Sequence, residues 1–570
     1  MTRKYILHCG SLFLCLANPA IGTSMTLDER KPVPADAEEA NAVEPEPVPR
    51  VRLSSVDMIP IYSIGADVNA LNELGAFFEK RIAKEERENF IFFDFAEGAS
   101  DLGPLPEVAN FGFNGFLTRP EISYYGDLVC PLHKGLADEI KKDSDTKKRA
   151  EGVYENDGMT VVFTDTSYGL SYGENLEYSS EDATRLRRLM RETAETSMKH
   201  ICFIKSEPYK IGRSVLKPQL NAVRSMLHTQ AQRRDAEPEL NYLARATYQR
   251  TLVSLLDVFF NETKSIKYAL DFDSNSPSVT ASITVDAVTG TSLDKYVSRI
   301  SSQRSRLLSY LHPDQRGFVS ASIPLSEDLA NNMPRIMGLG ASAIAGEDAT
   351  EPLAGIEHAL RQIQDERSIE CLVQALPGSN DTLSFIIIVP LQDAASLNKP
   401  LIQLVSGVNN GTQEASIDLG RVGEWRAHNL NLGFESDSGD RHSFVVITDD
   451  CIGLCLASKS DMPVVQAVLE RDFEESAAAK RFQRSALAIA TTHSSFRAFG
   501  EQAFGNSVPK LKVPDDKSPL PDGRIELSLQ TAPHQLTITA RFDNDGIDDG
   551  IWLFSSTLEM LLELVEELYE

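Results

Sequence analysis

Three short stretches bring chemistry-bearing residues together. Asp543, Asp545, Asp548 and Asp549 crowd the run Asp-Asn-Asp-Gly-Ile-Asp-Asp, which offers carboxylate oxygens at the spacing of a calcium-binding turn. Aligned with an EF-hand loop, Asp543 and Asp545 take the third and fifth positions and Gly546 the turn glycine. Arg541 then stands where the first aspartate belongs, and Trp552 where the bidentate glutamate belongs. The run is expected to form an acidic turn between a strand and a helix, and its four aspartates are the candidate metal ligands.

Cys451-Ile452-Gly453-Leu454-Cys455 raises redox or metal chemistry. On an extended strand the two Cα atoms would stand about 13 Å apart, beyond the disulfide reach of about 7 Å. A turn at Gly453 would bring them closer. The expectation is two small packed residues on the two arms of a hairpin. Gly338-Leu339-Gly340-Ala341-Ser342-Ala343 has the glycine spacing of a dinucleotide loop, which needs a strand before it and a helix after it. A helix-like Asn-Asn-Met-Pro-Arg-Ile-Met precedes it instead, so it reads as a connecting loop and no cofactor is expected.

Other signatures are missing from the sequence. It has no phosphate loop ending in Gly-Lys-Ser/Thr, no His-Glu-x-x-His and no Cys-x-x-Cys. No two histidines fall at ligand spacing on one element. The formal net charge of -27 repels phosphate backbones, and no basic stripe offsets it, so no nucleic acid is expected as a partner.

The elements that must position any site begin after the leading residues. Arg3 and Lys4 followed by an apolar stretch with small residues near Ala20, Gly22 and Ser24 predict a cleaved signal peptide over 1–24. Export to the periplasm, the envelope or the medium follows from it, with no transmembrane span after cleavage. The Pro-, Glu- and Ala-rich 25–50 is expected to be a disordered spacer. Cys130, Cys202, Cys371, Cys451 and Cys455 remain, an odd and widely spaced set that is no disulfide framework.

From residue 51 onward the pattern repeats. VVFTDTSYGL at 161–170 and VVITDDCIGL at 445–454 share Val, Val, Thr, Asp, Gly and Leu in register. Val161 to Thr164 and Val445 to Thr448 read as strands. Asp165 and Asp449 end them, Gly169 and Gly453 are expected to supply left-handed turn positions, and Leu170 and Leu454 start returning strands. A helix follows each, opened by Ser179-Ser180 and by Ser460. The alternating strands SVTASITVD (278–286) and QLTITARFD (535–543) form a second matching pair. Each follows another alternating strand and precedes a helix, the last with the apolar stripe Leu558, Leu561, Leu562, Val565 and Leu568. The hairpin IECLVQA/TLSFIIIV (369–389) falls where the first half has FIFFDFA and FGFNGFL.

The order predicts an α+β protein of two duplicated halves, 51–311 and 312–570, each of antiparallel hairpins packed with amphipathic helices. The first half carries a helical insert over 218–262, where Tyr248, Leu252, Leu255 and Phe259 line one face. The second half has a Pro-rich loop, NSVPKLKVPDDKSPLPDG, in that place.

The strand pairs SIKYALDFD/SVTASITVD and GRIELSLQT/QLTITARFD, with the TD…GL turns, resemble the modules of large exported proteins of unknown function common in planctomycete-type bacteria. The resemblance covers most of the chain after residue 50. It implies the same α+β build and brings no activity with it. The functional expectation is a non-catalytic protein that binds a protein partner or helps assemble an envelope structure. A carrier of an apolar ligand and a hydrolase with a fold-assembled site are the alternatives.

Overall fold

The computed structural model describes residues 57–79, 109–325 and 368–398 (the last two with short internal breaks), 418–429, 441–492 and 524–543. The chain divides into two compact units. One holds 1–206 and 269–274, the other 207–268 and 275–570. The described part is α+β, with helices laid on antiparallel sheet.

The first unit begins with β1 (Asp57–Asp67), which runs straight into α1 (Val68–Glu79). The next strands are β2 (Asn110–Arg119), β3 (Tyr124–Pro131), β4 (Thr146–Ala150), β5 (Val153–Asn156), β6 (Met159–Phe163) and β7 (Ser167–Gly173). A short helix α2 (Leu136–Lys142) lies between β3 and β4; α3 (Ser180–Ser197) and β8 (Cys202–Ser206) follow β7. Hydrogen bonding places the strands in the order β4-β5-β6-β7-β3-β2-β1-β8, every pair antiparallel.

The second unit contains β11 (Gly317–Pro324), β12 (Ser368–Pro377), β13 (Leu383–Pro390), β14 (Asp418–Val422), β15 (Trp425–Asn429), β16 (Arg441–Ile447), β17 (Cys451–Ser458) and β18 (Leu487–Thr492). Their order is β14-β15-β16-β17-β13-β12-β11-β18. The sheet continues through β19 (Arg524–Ala532) and β20 (Gln535–Asp543) to β10 (Ser278–Ala287).

The two orders correspond strand for strand, and so do the registers. Val129 and Val162 flank Gly169, while Ile388 and Val446 flank Gly453. Hydrogen bonds outside the ladders recur as well. Asp67 N donates to Ile201 O (2.9 Å) where Ser322 N donates to Ala486 O (2.7 Å). Leu132 N donates to Thr166 O (2.8 Å) where Leu391 N donates to Asp450 O (3.0 Å). Ile201 N donates to Leu270 O and Ala486 N to Leu529 O, each over 2.9 Å.

Two sequence expectations are corrected here. The β6–β7 turn is made by Asp165 and Thr166, and the β16–β17 turn by Asp449 and Asp450, each closed by a threonine that donates its N–H to the far strand. Gly169 and Gly453 lie inside the returning strands and have no left-handed backbone. Their missing side chains serve packing instead. A Cβ on Gly169 would stand 3.4 Å from Leu186 of α3, and one on Gly453 would stand 3.1 Å from Leu469 of the helix Met462–Glu470. The hairpin β12–β13 corresponds in pairing to β2–β3, so its second arm matches Tyr124–Pro131, and FIFFDFA lies outside the described residues. Also outside them are the N-terminal 1–50, Gly338 to Ala343, and the C-terminal leucine stripe.

Between β8 and β9 (Thr263–Asp273) the chain forms α4 (Pro208–Ser214), α5 (Lys217–Gln230) and α6 (Glu239–Asp257), which ends in a wide π-helical turn Val258–Glu262. α7 (Ser292–Ser302) follows β10. The helix Met462–Glu470 is α8, and α9 (Ala477–Phe482) is capped by Ser476, whose Oγ accepts from Ala479 N over 3.0 Å. Leu372, Ile386, Ile388, Phe444, Val446 and Cys455 of the sheet meet Val465, Val468 and Leu469 of α8 in one core.

Gly453→Val should lower stability by about 1–3 kcal/mol through overpacking against Leu469, and Leu469→Ala in the same chain should recover part of it. Urea unfolding of the two variants measures both effects.

Candidate functional site

The sheet face under α3 carries a polar group that its counterpart lacks. Asp127 on β3 is fully buried and faces Ser171 on β7. Ser171 Oγ donates to Asp127 Oδ1 over 2.7 Å. Arg185 reaches down from α3, giving its Nε to Asp127 Oδ2, its Nη2 to Asp127 Oδ1 over 2.9 Å and its Nη1 to Asp182 Oδ1 over 2.8 Å. Phe116 lies beneath the guanidinium, its ring centre 5.7 Å away. By strand register and helix position, the matching residues of the second unit are Ile386, Cys455, Val465 and Val468, all buried in the apolar core. One unit therefore holds a buried ion-pair network where the other holds methyl groups.

Burial pushes the Asp182 carboxyl above its ordinary range, and Arg185 pulls it back in part. Burial disfavours the Arg185 charge, but hydrogen bonds and charge from Asp127 outweigh it and raise its pKa. The group holds a nucleophile type, Ser171, beside a carboxylate. Ser171 is nevertheless fully buried beneath α3, and its hydroxyl hydrogen already goes to Asp127. The chemistry the arrangement supports is to fasten α3 onto the sheet.

The sequence candidates fall elsewhere. Asp543 closes β20, while Asp545, Asp548 and Asp549 lie outside the described residues. Among the described residues no group of three His, Cys, Asp or Glu side chains could hold a metal ion. Cys451 and Cys455 sit on one straight strand with both thiols buried and free, so the bend at Gly453 and the placing of the two on opposite arms of a hairpin are corrected. Burial raises the pKa of both thiols and pushes Cys202 up to about 12, which keeps them protonated and unreactive. The histidines pair singly: His200 Nδ1 with Asp271 Oδ1 at 3.0 Å and His534 Nδ1 with Asp294 Oδ1 at 2.6 Å.

The third feature is a surface on the insert. Leu243, Ala246 and Val253 of α6 are buried. On the opposite side of the same helix Tyr248 is 62% exposed and Leu255 57%, and Phe259 in the π turn is 42% exposed. Leu252 lies between them, half-buried. On α5, Met226 is 51% and Val223 38% exposed. The π turn places Phe259 outward and Phe260 inward, where Gly212 of α4 leaves room: a Cβ on Gly212 would lie 2.6 Å from Phe260 Cβ.

The charges around this face are one-sided. Residues 207–262 hold eight Lys and Arg against six Asp and Glu, in a chain of net charge -27. Four of the six carboxylates are spent inside the insert or on α7. Glu207 pairs with Lys210 at 2.5 Å, Glu237 with Arg245 at 2.7 Å, and Asp257 with Arg224; Glu262 accepts from Ser292 Oγ and Leu293 N, each at 2.6 Å. The Arg245 fork holds Glu237 down at about 2. The side chains of Asp235 and Glu239 are outside the described set. Arg213, Lys217, Arg233, Arg234 and Arg250 stand exposed. The stripe Tyr248, Leu252, Leu255 and Phe259, read from sequence as one face of a helix, is one face, and it is the outward one.

No family model, curated protein or solved structure matches the chain.

Two outcomes follow for the buried network. Arg185→Met should destabilise by about 3 kcal/mol or more, because it leaves Asp127 buried without its cation. Replacing the group with its counterparts, Asp127→Ile, Ser171→Cys, Asp182→Val and Arg185→Val together, should be neutral or stabilising; denaturant titration compares the two. Asp182 has its folded pKa above the unfolded value, so the unfolded chain releases this proton first. Stability therefore falls as pH rises above about 4, and Asp182→Asn should remove that part of the pH profile.

Proposed function

We propose that the chain is an exported, non-catalytic binding protein built by internal duplication, and that its helical insert docks a protein partner with an apolar, anionic face. The observation that carries the reading is the outward stripe Tyr248, Leu255 and Phe259 on a helix whose other face is already buried. A helix apolar on two opposite sides is one made to be covered on both. Exposed aromatic, Met and Arg side chains, which the insert carries across its helices and their connection, are the composition of protein interface cores. Because its own carboxylates are largely engaged internally, the surface offers unspent positive charge, which complements an acidic partner and steers its approach.

The duplication is supported by the matching strand orders, the shared registers around Gly169 and Gly453, and the recurring hydrogen bonds beyond the ladders. The insert belongs to one copy: the second has a Pro-rich stretch at that point of the sequence. Among the described residues no helix is long and apolar enough to cross a membrane.

The test is capture from the envelope fraction of the native host, at low and high salt. The wild-type chain should retain a partner that the Tyr248→Ser/Leu255→Ser/Phe259→Ser variant loses and that Arg233→Glu/Arg234→Glu/Arg250→Glu holds more weakly. The melting temperatures of the variants should stay close to wild type, since these side chains bury little in the free protein. A partner retained equally by the triple serine variant would reject the insert as the docking element. Binding to anionic lipid vesicles in place of any protein would assign the surface to membranes instead.

A further inference from the structure

Separate from the insert, the second unit has a half-open pocket of about 440 Å³ between the turn Arg306–Tyr310 and the segment that links α8 to α9. Buried Leu308 and Ala479 and half-buried Phe473 form its apolar wall, and Arg306, Arg471 and Glu475 line it with charge, Glu475 lying 4.0 Å from Lys480 Nζ. The volume lies in the range of small-molecule sites, which combine apolar lining with a few fixed polar groups.

Arg471 is the fixed polar group. It ends α8 in the left-handed conformation, φ 57° and ψ 35°, a position where glycine is the residue without strain. Strained non-glycine positions gather at ligand sites, where the surrounding structure holds them. Its guanidinium is clamped from behind. Nη2 donates to Asp450 Oδ2 over 3.2 Å, and the group lies 4.7 Å from the centre of the Tyr310 ring. Tyr310 OH donates to the same Asp450 oxygen over 3.1 Å, while Thr448 Oγ1 donates to Asp450 Oδ1 over 3.0 Å. Burial raises the Tyr310 pKa, which keeps the phenol a donor. Nε and Nη1 of Arg471 have no hydrogen-bond partner among the described residues, and Nη2, which shares one edge of the fork with each of them, has a second hydrogen beyond the one given to Asp450. One paired edge of the guanidinium thus remains open on a planar cation beside an apolar wall.

We infer that this pocket binds a small organic carboxylate with an apolar body, its carboxylate on the Arg471 fork and its body against Leu308, Ala479 and Phe473. A guanidinium matches a carboxylate with paired donors; Arg306 at the mouth is already paired with Glu370 Oε2 at 3.5 Å, so the Arg471 fork carries the recognition. The corresponding turn of the first unit has Thr166 in place of Asp450, and α3 continues past the position of Arg471, so the site belongs to the second unit alone.

The probe is phenylacetate, titrated into the full chain and followed by ligand-observed saturation-transfer NMR. Saturable binding is expected, with phenylacetamide about tenfold weaker or worse because it lacks the charge. Arg471→Gly should weaken phenylacetate by a similar factor and raise the melting temperature, since glycine relieves the left-handed position. This variant therefore separates loss of the site from loss of the fold. Arg471→Lys should fall between. The inference is overturned if wild type shows no saturable binding, if phenylacetamide binds as well as phenylacetate, or if Arg471→Gly binds as well as wild type.

Discussion

The close approach of a helix to a sheet at one glycine organises each unit. Gly169 lies on β7 between β3 and β6, and Gly453 lies on β17 between β13 and β16. With no side chain at that point, Leu186 and Leu469 come down almost to the backbone of the strand. The position of the helix sets what the neighbouring inward residues must be. In the second unit they are Ile386, Cys455, Val465 and Val468, packed as a continuous apolar core. In the first they are Asp127, Ser171, Asp182 and Arg185, joined as an ion-pair network.

The same backbone therefore supports two kinds of interior. Methyl groups gain from leaving water, at roughly 25 cal/mol per Å² of apolar surface. A buried ion pair must first lose its hydration, and its Coulomb attraction repays that only when the geometry is good. The Arg185 fork meets this condition by spending three nitrogens on two carboxylates.

The two proposed binding surfaces lie where the two units' shared plan is left behind. The insert between β8 and β9 is a helical layer with an outward apolar face and exposed cations. The pocket of the second unit depends on Tyr310, Asp450 and Arg471, which come from a turn, a hairpin and a helix end. Both are carried at the ends and connections of regular elements, where side chains are free of ladder constraints. Neither calls for a nucleophile or a metal, and both fit a protein that recognises other molecules.

The α+β class, the strands around 161–170 and 445–454, the alternating strands at 278–286 and 535–543, and the helical insert were legible in the sequence, because period-two alternation and β-branched runs are local signals. The stripe on α6 was legible too, but not its direction. Tyr248, Leu252, Leu255 and Phe259 have helical spacing whether they face a core or a partner, and only the packing of Leu243, Ala246 and Val253 on the other side decides it. Gly169 and Gly453 read as turn residues because a glycine after an aspartate usually is one; their true role depends on a leucine about 17 residues further on. Asp127 and Arg185 carried no signal, being 58 residues apart and on different elements. Tyr310, Asp450 and Arg471 were silent for the same reason. Residues alone determined which elements form. Tertiary structure decided which side of each element is covered and which distant side chains meet, since both depend on contacts that no local pattern encodes.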